Sequence, residues 1–242
     1  MDSIITQRSE ARAYFDHGWL KTYHSFSFAD YYDPENLHWG ALRVFNDDVI
    51  DPGEGFGTHP HRDMEILTYV LEGELEHRDS MGNHGVVAPG GVQYLSAGAG
   101  ITHSEFNHSK ERSVHLVQMW VMPHAKNLTP RYGQVDYTRA DRLDRWLPIA
   151  TGQPGIESRI AIWQNATCYV ARVESAPLSF ALGSDRYGFL FLASGEAEVA
   201  GEQLNAGDAL RLQGSYEGTI RAKGAELVFW DTPSMNQARH GE

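Results

Sequence analysis

A short pattern that occurs twice decides the fold. Leu71-Glu72-Gly73-Glu74-Leu75-Glu76 is followed by the turn Ala88-Pro89-Gly90-Gly91, and Ala193-Ser194-Gly195-Glu196-Ala197-Glu198 is followed by the turn Asn205-Ala206-Gly207-Asp208. In each copy a glycine separates two stretches that have the residue types of short strands. Repetition of such a unit along one chain predicts two related β modules.

Outside these copies, glycine and proline interrupt the chain at short intervals, and the runs between them are rich in Val, Ile, Tyr, Phe, Trp and Thr. Helical periodicity occurs only in the first dozen residues and at 137–147. The sequence therefore predicts an all-β protein with short helical segments. Predicted strands include residues 24–28, 41–50, 65–71, 74–79, 92–96, 114–122, 168–174, 189–193 and 227–230.

The segment that connects the two modules, residues 123–158, carries the proline, glycine and charged residues typical of connections. We therefore predict one domain over residues 1–130 and a second over residues 131–242, with the boundary placed to within about ten residues. The polar tail at 236–242 is expected to be frayed.

The composition excludes several classes of protein. The chain has 242 residues, with 20 Lys and Arg against 32 Asp and Glu, and this acidic excess argues against direct binding of nucleic-acid phosphates. Its single cysteine, Cys168, cannot form an internal disulfide, which fits a reducing compartment. No segment has the pattern of a signal peptide or a membrane span, so we expect a cytoplasmic protein. The common nucleotide-binding and serine-hydrolase motifs are absent from the sequence.

Histidines are concentrated in the first module, where seven of the twelve lie between residues 59 and 115. His59-Pro60-His61 and His103-Ser104-Glu105 stand out, because side chains at i and i+2 of a strand point the same way. Each triplet can direct two donors to one point, and together they predict a metal site with four ligands. The other histidines of this region stand singly, which favours surface or hydrogen-bonded roles: His77, His84, His108 and His115.

The run Gly55-Phe56-Gly57-Thr58-His59-Pro60-His61-Arg62-Asp63-Met64-Glu65 resembles the first cupin motif, and His103-Ser104-Glu105-Phe106-Asn107 resembles the second. The sequence is similar, more closely still, to the pirin family of double cupins, and in particular to bacterial members described as quercetin 2,3-dioxygenases. This resemblance implies two cupin-type jelly-roll barrels in tandem, with metal in the first only. Further strings that carry it are Trp19-Leu20, His24-Ser25-Phe26-Ser27-Phe28, Leu42-Arg43-Val44, Asn46-Asp47-Asp48, Thr68-Tyr69-Val70-Leu71-Glu72-Gly73, His77-Arg78-Asp79-Ser80-Met81-Gly82-Asn83 and Ser96-Ala97-Gly98.

The carboxylate ligand is a choice that the residues alone leave open. A general cupin could take it from Glu65, four residues after His61, whereas pirins take it from the triplet that corresponds to Glu105. The resemblance therefore implies His59, His61, His103 and Glu105 as the metal ligands. Glu65 is the reserve ligand, or else a hydrogen-bonded group that steers an imidazole.

The second module can be compared with this site by counting from its glycines. An ungapped count places Ala181, Gly183, Ile220 and Ala222 at the ligand positions, and residues 151–239 contain no histidine. We therefore predict a metal-free C-terminal cupin domain.

Three neutral imidazoles and one carboxylate leave a formal charge of about +1 on a divalent ion and about two open positions on a six-coordinate metal. This donor set suits Fe(II), Mn, Co, Ni, Cu(II) or Zn, and the resemblance favours iron. A positive site inside an apolar barrel favours an anionic ligand such as an enolate or a phenolate.

The resemblance implies a metal-dependent dioxygenase that cleaves flavonols such as quercetin with O2. Glu105 is then the catalytic base, which takes the proton of the 3-hydroxyl group before the heterocycle opens with release of carbon monoxide. The eukaryotic pirins imply an alternative, a non-catalytic regulatory protein whose metal alters a surface read by a protein partner. A small-molecule isomerase or sugar-binding cupin also stays open, because the fold hosts many activities.

A deep aromatic pocket that reaches the metal favours catalysis, whereas a metal shut off from any pocket favours the regulatory role. If the two cupin halves bury their faces against each other, the protein is expected to be a monomer. Candidates for the pocket lining are Trp39, Phe45, Phe56, Met64, Phe106 and Trp120.

Overall fold

The computed structural model describes residues 3–235, and the tail at 236–242 lies outside the described residues. Strands dominate this part of the chain, as the sequence predicts, and one turn of α-helix, α1 (Arg139–Arg142), lies within 137–147. Among the described residues, no helix is long and apolar enough to cross a membrane.

The first half of the chain contains β1 (Ser3–Gln7), β2 (Ala13–Asp16), β3 (Leu20–His24), β4 (Leu42–Ile50), β5 (Gly55–His61), β6 (Glu65–Glu72), β7 (Leu75–Asp79), β8 (His84–Val87), β9 (Val92–Ser96), β10 (Ile101–Asn107), β11 (Val114–Val121) and β12 (Arg131–Val135). A short 3-10 helix (Ser9–Ala11) separates β1 from β2. The second half contains β13 (Leu147–Thr151), β14 (Thr167–Val173), β15 (Leu178–Leu182), β16 (Arg186–Ser194), β17 (Glu196–Val199), β18 (Glu202–Asn205), β19 (Ala209–Gln213), β20 (Tyr216–Ala222) and β21 (Ala225–Pro233).

Two predictions of local structure are wrong. The first dozen residues form β1 and the 3-10 helix, because antiparallel pairing of β1 with β19 outweighs a weak helical periodicity. The strand expected at 24–28 ends at His24. Beyond it the Ser27 hydroxyl donates to Asp33 O and accepts from Asp33 N–H, which folds this segment into a loop.

The first of two compact units comprises Ala13–His38 and Arg43–Tyr137. It contains a seven-stranded sheet in the order β12-β9-β6-β11-β4-β3-β2 and a four-stranded sheet in the order β5-β10-β7-β8. The pairings that position the histidines are antiparallel, as expected for the predicted cupin barrel.

The second unit comprises residues 3–12, Trp39–Leu42 and 138–235. Its sheets have the orders β1-β19-β16-β21-β14-β13 and β15-β20-β17-β18. β1 is the edge strand of the larger sheet, and the residues after it are held by Asp208. That carboxylate accepts from the Arg8 guanidinium at 3.0 Å and from the Ser9 N–H at 2.8 Å.

This partition differs from the division predicted at residue 130. Residues 3–12 and 39–42 lie in the second unit, and residues 131–137 lie in the first. The physical reason is long-range pairing, since β1 pairs with β19 and β12 pairs with β9. Local composition carries no signal for either partner.

Strand pairing shows which positions of the second unit correspond to the predicted ligands. In the first unit β10 lies between β5 and β7, and in the second β20 lies between β15 and β17. The turn glycines Gly73 and Gly195, both with positive φ, precede β7 and β17 and align these strands. The equivalent positions, first unit and then second, are Glu105 and Ile220, His77 and Val199, His103 and Gly218, His59 and Phe180, and His61 and Leu182.

The ungapped count from the sequence is therefore wrong in register. It is displaced by one residue at Ala181 and Gly183, and by two residues at Ile220 and Ala222. The connections between strands differ in length in the two units, so a count without gaps cannot stay in register. The corrected positions also carry no imidazole or carboxylate, so a metal-free second unit stays the prediction.

The two units fill the equivalent space differently. In the second unit, Phe180, Leu182, Val199 and Ile220 belong to one buried apolar cluster. The first unit instead buries polar and charged side chains at this place: Thr68, His77, Gln93, His103 and Glu105. Burial of polar groups costs free energy unless they are partnered, so this region of the first unit is where a functional site is expected.

Candidate metal centre

Three histidines converge at the pairing of β5 with β10. His59 lies directly opposite His103, and His61 extends two residues further along the same face of β5. The ring centroids of His59 and His61 are 4.7 Å apart, those of His59 and His103 are 4.5 Å apart, and those of His61 and His103 are 4.8 Å apart. One ring nitrogen of each lies within 4.8 Å of the others. The predicted convergence of the two triplets is thus present for the imidazoles.

A bulge in β5 shapes this cluster. His103 pairs with His59 but Glu105 pairs with Phe56, so β5 carries one residue more than β10 between these positions. The extra residue frees the carbonyl of Gly57, which lies 2.7 Å from His59 Nδ1. Since a carbonyl only accepts, Nδ1 carries the proton and Nε2 keeps its lone pair for a ligand. At Gly55 a side chain would collide with the Glu105 backbone, so β5 needs glycine for this close approach.

Burial keeps two of these imidazoles neutral. It lowers the pKa of His61 to about 4, and the neighbouring rings of His103 and His59 add to the effect, while Glu105 opposes it. Burial also lowers the pKa of His103 to about 3, with His59 and His77 adding to it and Asp79 opposing it. Both rings are therefore lone-pair donors at neutral pH, which is the form that binds a metal.

Glu105 is buried and is held by side chains from three adjacent strands. Gln93 Nε2 donates to Oε1 at 2.5 Å, Gln118 Nε2 donates to Oε2 at 2.8 Å, and the Thr68 hydroxyl lies 3.5 Å from Oε1. Trp120 Nε1 donates to Gln118 Oε1 at 3.1 Å, so the amide of Gln118 must turn its NH2 group toward Glu105. These contacts fix the orientation of the carboxylate before any ligand arrives.

The structure places Glu65, the reserve ligand, elsewhere. Its two oxygens accept hydrogen bonds from the Tyr94 hydroxyl at 2.9 Å and the Ser96 hydroxyl at 2.6 Å. Glu65 and Thr68 are an odd number of residues apart on β6, so they lie on opposite faces of the sheet. Among the described residues, the clusters of potential metal ligands do not include Glu65.

His77 is a buried member of this region that the sequence reasoning set aside. His77, His103 and Glu105 form a second group whose potential ligand atoms lie within 4.8 Å of one another, so the two groups share His103. Its position follows from the register of β7 with β10, where His77 lies opposite Glu105. The alternation of side chains along a single strand does not reveal the place of His77 in this site, because its contacts are made between two strands.

The residues present fit a divalent transition metal. Neutral imidazoles and a carboxylate form a mixed nitrogen and oxygen donor set, which suits Fe(II), Co, Ni, Cu or Zn more than Ca or Mg. His103 Nε2 is buried and has no hydrogen-bond partner within residues 3–235, as expected of a nitrogen whose partner is an ion.

A cavity of about 410 Å³ opens onto this cluster. Its volume falls within the range of small-molecule sites, roughly 300–1,000 Å³. His59, His61 and Glu105 form one side of it. The aromatic walls are formed by Trp19, Phe28, Phe56 and Trp120.

Only two of the six predicted lining residues, Phe56 and Trp120, face this cavity. Phe106 neighbours Glu105 on β10, so strand alternation turns it to the other face, where it is 38% exposed. Phe45 is in the core, Met64 packs on a separate apolar cluster, and Trp39 lies in the second unit. Trp19 and Phe28 also line the cavity and were not predicted to do so, because they pack there against residues distant in the sequence, Phe56 and Trp120.

Comparison with known proteins decides the family. The sequence model described as Pirin matches residues 6–121, and that of the quercetinase C-terminal cupin domain matches residues 149–231. A pirin-like protein of Caulobacter vibrioides is 43% identical over 89% of this chain and 94% of its own length. The chain belongs to the pirin family. This confirms the family and the double-cupin fold predicted from the sequence.

Other pirin relatives carry descriptions of activity and of metal. A protein of Escherichia coli K12 described as quercetin 2,3-dioxygenase is 38% identical over 96% of this chain and 100% of its own length. The crystal structure of the bacterial pirin YhhW in complex with nickel(II), from Escherichia coli, superposes with a TM-score of 0.89 at 36% identity. That comparison covers 96% of this chain and 100% of the other.

Proposed function

We propose that this pirin is a metal-dependent dioxygenase that cleaves flavonols such as quercetin with O2, in the manner of a 2,3-dioxygenase. His59, His61, His103 and Glu105 hold one divalent metal in this proposal, and Glu105 also serves as the base. The relatives described as quercetin 2,3-dioxygenase support the activity, and the nickel(II) complex of a pirin supports a divalent ion. Iron is the metal we expect in the active protein.

The observation that carries the proposal is the cavity onto which His59, His61 and Glu105 open. A regulatory metal needs no such space, whereas a substrate must reach both the metal and the base. The bound metal would supply Lewis acidity and an electron path to O2.

The aromatic residues of the cavity suit a flat, conjugated substrate. Trp120 lies edge-on to His61, with ring centroids 4.8 Å apart, and Phe28 lies edge-on to Trp120 at 5.3 Å. Across the cavity, Trp19 and Phe56 form a second edge-to-face pair at 5.3 Å. Such walls exclude water and bind aromatic rings by burial of apolar surface.

The side of the cavity formed by β3 and β4 is polar. Thr22 lies opposite Asp48 and His24 lies opposite Asn46 in the pairing of the two strands, and all four are buried and line the cavity. Within the part of the chain that the structure describes, Thr22 Oγ1 and Asn46 Oδ1 have no hydrogen-bond partner. Ring hydroxyls of a polyphenol would satisfy them, which favours hydroxylated flavonols over purely apolar aromatics.

Glu105 lines the cavity and is oriented by Gln93 and Gln118. Each carboxylate oxygen that accepts one amide hydrogen bond retains a further lone pair. The proton of the 3-hydroxyl group of a flavonol can pass to this carboxylate, which leaves the substrate as an anion.

The test is oxygen uptake and loss of the flavonol absorption band with iron-loaded protein and quercetin, together with detection of carbon monoxide. We expect both signals to depend on protein, metal and O2 together. His61→Ala, freed of metal, is expected to match the rate without protein. Equal flavonol consumption by that variant would contradict the proposal, and so would the absence of turnover in protein shown to contain one iron per chain.

A further inference from the structure

The run His77-Arg78-Asp79-Ser80-Met81-Gly82-Asn83 carries part of the family likeness, yet none of its residues is among the proposed ligands. His77 and Asp79 are two residues apart on β7, so their side chains share a face. Both side chains are 0% exposed, and His77 Nε2 lies 3.1 Å from Asp79 Oδ2. A buried acid and imidazole in contact, beside a metal site, require an explanation.

The turn after β7 fixes the carboxylate of Asp79. Its Oδ1 accepts the backbone N–H groups of Met81 at 2.9 Å and Asn83 at 3.0 Å, and its Oδ2 accepts Asn83 Nδ2 at 2.9 Å. Burial alone would raise the pKa of Asp79, but the hydrogen bonds from Asn83 and His77 outweigh it, and the pKa lies below its usual value. With three N–H groups already donating to its oxygens, Asp79 acts as an acceptor, so the proton of the hydrogen bond shared with His77 is on His77 Nε2.

The other nitrogen of His77 faces a proposed ligand. His77 Nδ1 lies 3.4 Å from His103 Nδ1. His103 Nε2 is buried and has no hydrogen-bond partner among residues 3–235, so the proton of a neutral His103 ring belongs on Nδ1, where His77 Nδ1 can accept it. The proton between the two rings therefore belongs to His103 Nδ1, and His103 Nε2 keeps its lone pair.

From these contacts we infer that Asp79 and His77 form a relay that selects the tautomer of His103 and presents its Nε2 to the metal. His77 and Asp79 are positioning residues in this arrangement, and they act through His103. The inference rests on the ligand set of the proposed function, but it does not depend on the substrate.

Two further observations support this relay. The ring of His77 stacks on Tyr132, with centroids 4.1 Å apart and planes 11° apart, which fixes the plane of the imidazole. His59 shows the same tautomer by a simpler route, since its Nδ1 donates to the Gly57 carbonyl at 2.7 Å. The bulge that places the Gly57 carbonyl beside His59 is in β5. For His103, on β10, the acceptor is supplied by His77 of the neighbouring strand β7.

The direct test is the protonation pattern of the histidine rings in metal-free protein labelled with nitrogen-15 on histidine. Long-range proton and nitrogen correlation spectra at pH 7.5 are expected to show His77 with its proton on Nε2 and His103 with its proton on Nδ1. A proton on His103 Nε2 in the wild-type protein would overturn the inference.

Substitutions then test cause and effect. In Asp79→Asn the amide NH2 can donate to His77 Nε2, which moves the proton of His77 to Nδ1 and that of His103 to Nε2. We expect this exchange in the spectra and about 10- to 100-fold weaker nickel binding in a competition titration. Unchanged tautomers together with unchanged nickel affinity would contradict the relay.

A second pair of variants keeps the test valid where Asp79→Asn does not fold. His77→Gln retains an acceptor for His103 Nδ1, whereas His77→Leu retains only bulk against Tyr132. The relay predicts that His77→Gln binds nickel more tightly than His77→Leu, and equal affinity in the two variants would contradict it. If the spectra of nickel-loaded wild type and His77→Gln differ by one imidazole ligand, His77 is itself a ligand and the relay is wrong.

The matched control is Asp47→Asn, since Asp47 Oδ1 contacts His115 Nε2 at 2.7 Å in the same unit and His115 belongs to neither ligand cluster. We expect this variant to leave the tautomer of His103 and the nickel affinity unchanged. Because the tautomer is measured without metal or flavonol, its failure leaves the dioxygenase proposal standing. A protein with the expected tautomers that turns over no flavonol contradicts the dioxygenase proposal alone.

Discussion

The four-stranded sheets of the two units share one strand order and carry opposite chemistry. The four-stranded sheets have the same order, and the positions of Glu105, His77 and His61 are taken in the second unit by Ile220, Val199 and Leu182. The pairing of β15 with β20 is also regular from Leu178 to Leu182, without the bulge that frees the Gly57 carbonyl in β5. The second unit thus lacks both the potential ligands and the backbone irregularity of the first.

The difference teaches where stability and function compete. Full burial of an aliphatic side chain stabilises a domain by about 1.5–3 kcal/mol, so the second unit gains from each apolar residue at these positions. The first unit lacks this stabilisation at the same positions, and each of its buried polar groups needs a hydrogen-bond partner or a ligand to offset the cost of burial. A bound metal would restore part of this stability, because a ligand that binds only the folded state stabilises the folded state.

The largest expected effect follows from giving the first unit a residue of the second. His61→Leu removes one of the three converging imidazoles and matches Leu182. We expect metal content, measured after equilibration with nickel and desalting, to fall from about one ion per chain to near zero, and oxygen uptake with quercetin to fall to background. The thermal stability of the metal-free protein should stay the same or rise, because a buried polar group is replaced by an apolar one.

His84→Leu is the control for that exchange. His84 is exposed and contacts Glu76 at 3.1 Å, outside both ligand clusters. It should retain the metal and the activity. Metal content near one per chain in His61→Leu would show that this imidazole is not a ligand.

The reverse exchange tests the second unit. Ile220→Glu introduces a carboxylate into the buried cluster of the second unit, whose described members are hydrophobic residues, whereas Glu105 in the first unit is held by Gln93 and Gln118. An uncompensated buried charge costs about 3–5 kcal/mol, so we expect the free energy of unfolding in urea to fall by about this amount without any gain of metal. Ile220→Val, which removes one methyl group, should cost about 1 kcal/mol. Equal stabilities of the two variants would show that the cluster tolerates charge.

A smaller effect is expected from the polar side of the cavity. Thr22→Val keeps the shape of the side chain and removes a hydroxyl that has no partner among residues 3–235. One neutral hydrogen bond to a ligand is worth about 1 kcal/mol, so KM for quercetin should rise by roughly fivefold with kcat unchanged. A flavonol without hydroxyls on its pendant ring should show a smaller rise if this hydroxyl contacts that ring. An unchanged KM for both would remove Thr22 from the binding site.

The smallest effect concerns a partly exposed carboxylate of the second unit. Asp144 accepts the N–H of Glu174 at 2.7 Å and the N–H and hydroxyl of Ser175, and the pKa of Asp144 is lowered to about 2, mainly by the bond from Glu174. A lowered pKa in the folded state stabilises the fold above the ordinary pKa near 3.8, and this stabilisation is lost as the pH falls toward 2.

Asp144→Asn should therefore melt at a lower temperature than wild type at pH 7, with a difference that narrows between pH 4 and pH 2. Nickel affinity should not change, in contrast to the buried Asp79 of the first unit. A constant difference in melting temperature from pH 7 to pH 2 would contradict the assigned role of the carboxylate.

The sequence predicted what depends on local spacing. From the alternation in the two triplets we predicted that His59, His61 and His103 lie close together. The structure has them so because both triplets lie on strands that pair directly. It could not predict Gln93, Gln118 or His77, since each reaches Glu105 or His103 through the register of another strand. The positions of Trp19 and Phe28 in the cavity could not be predicted for the same reason, since they depend on contacts between distant segments of the chain.

The pairing of β1 has a consequence for how the protein is made. Arg8 and Asp208 are 200 residues apart in the chain, yet they are in contact at one edge of a sheet. During translation β1 is synthesised long before β19, so it lacks its strand partner until most of the second unit has been made. The second unit is therefore completed only late in synthesis, and until then β1 is an unpaired strand that can pair with another chain, which makes aggregation of the nascent protein a greater risk than it is for the unit synthesised before it.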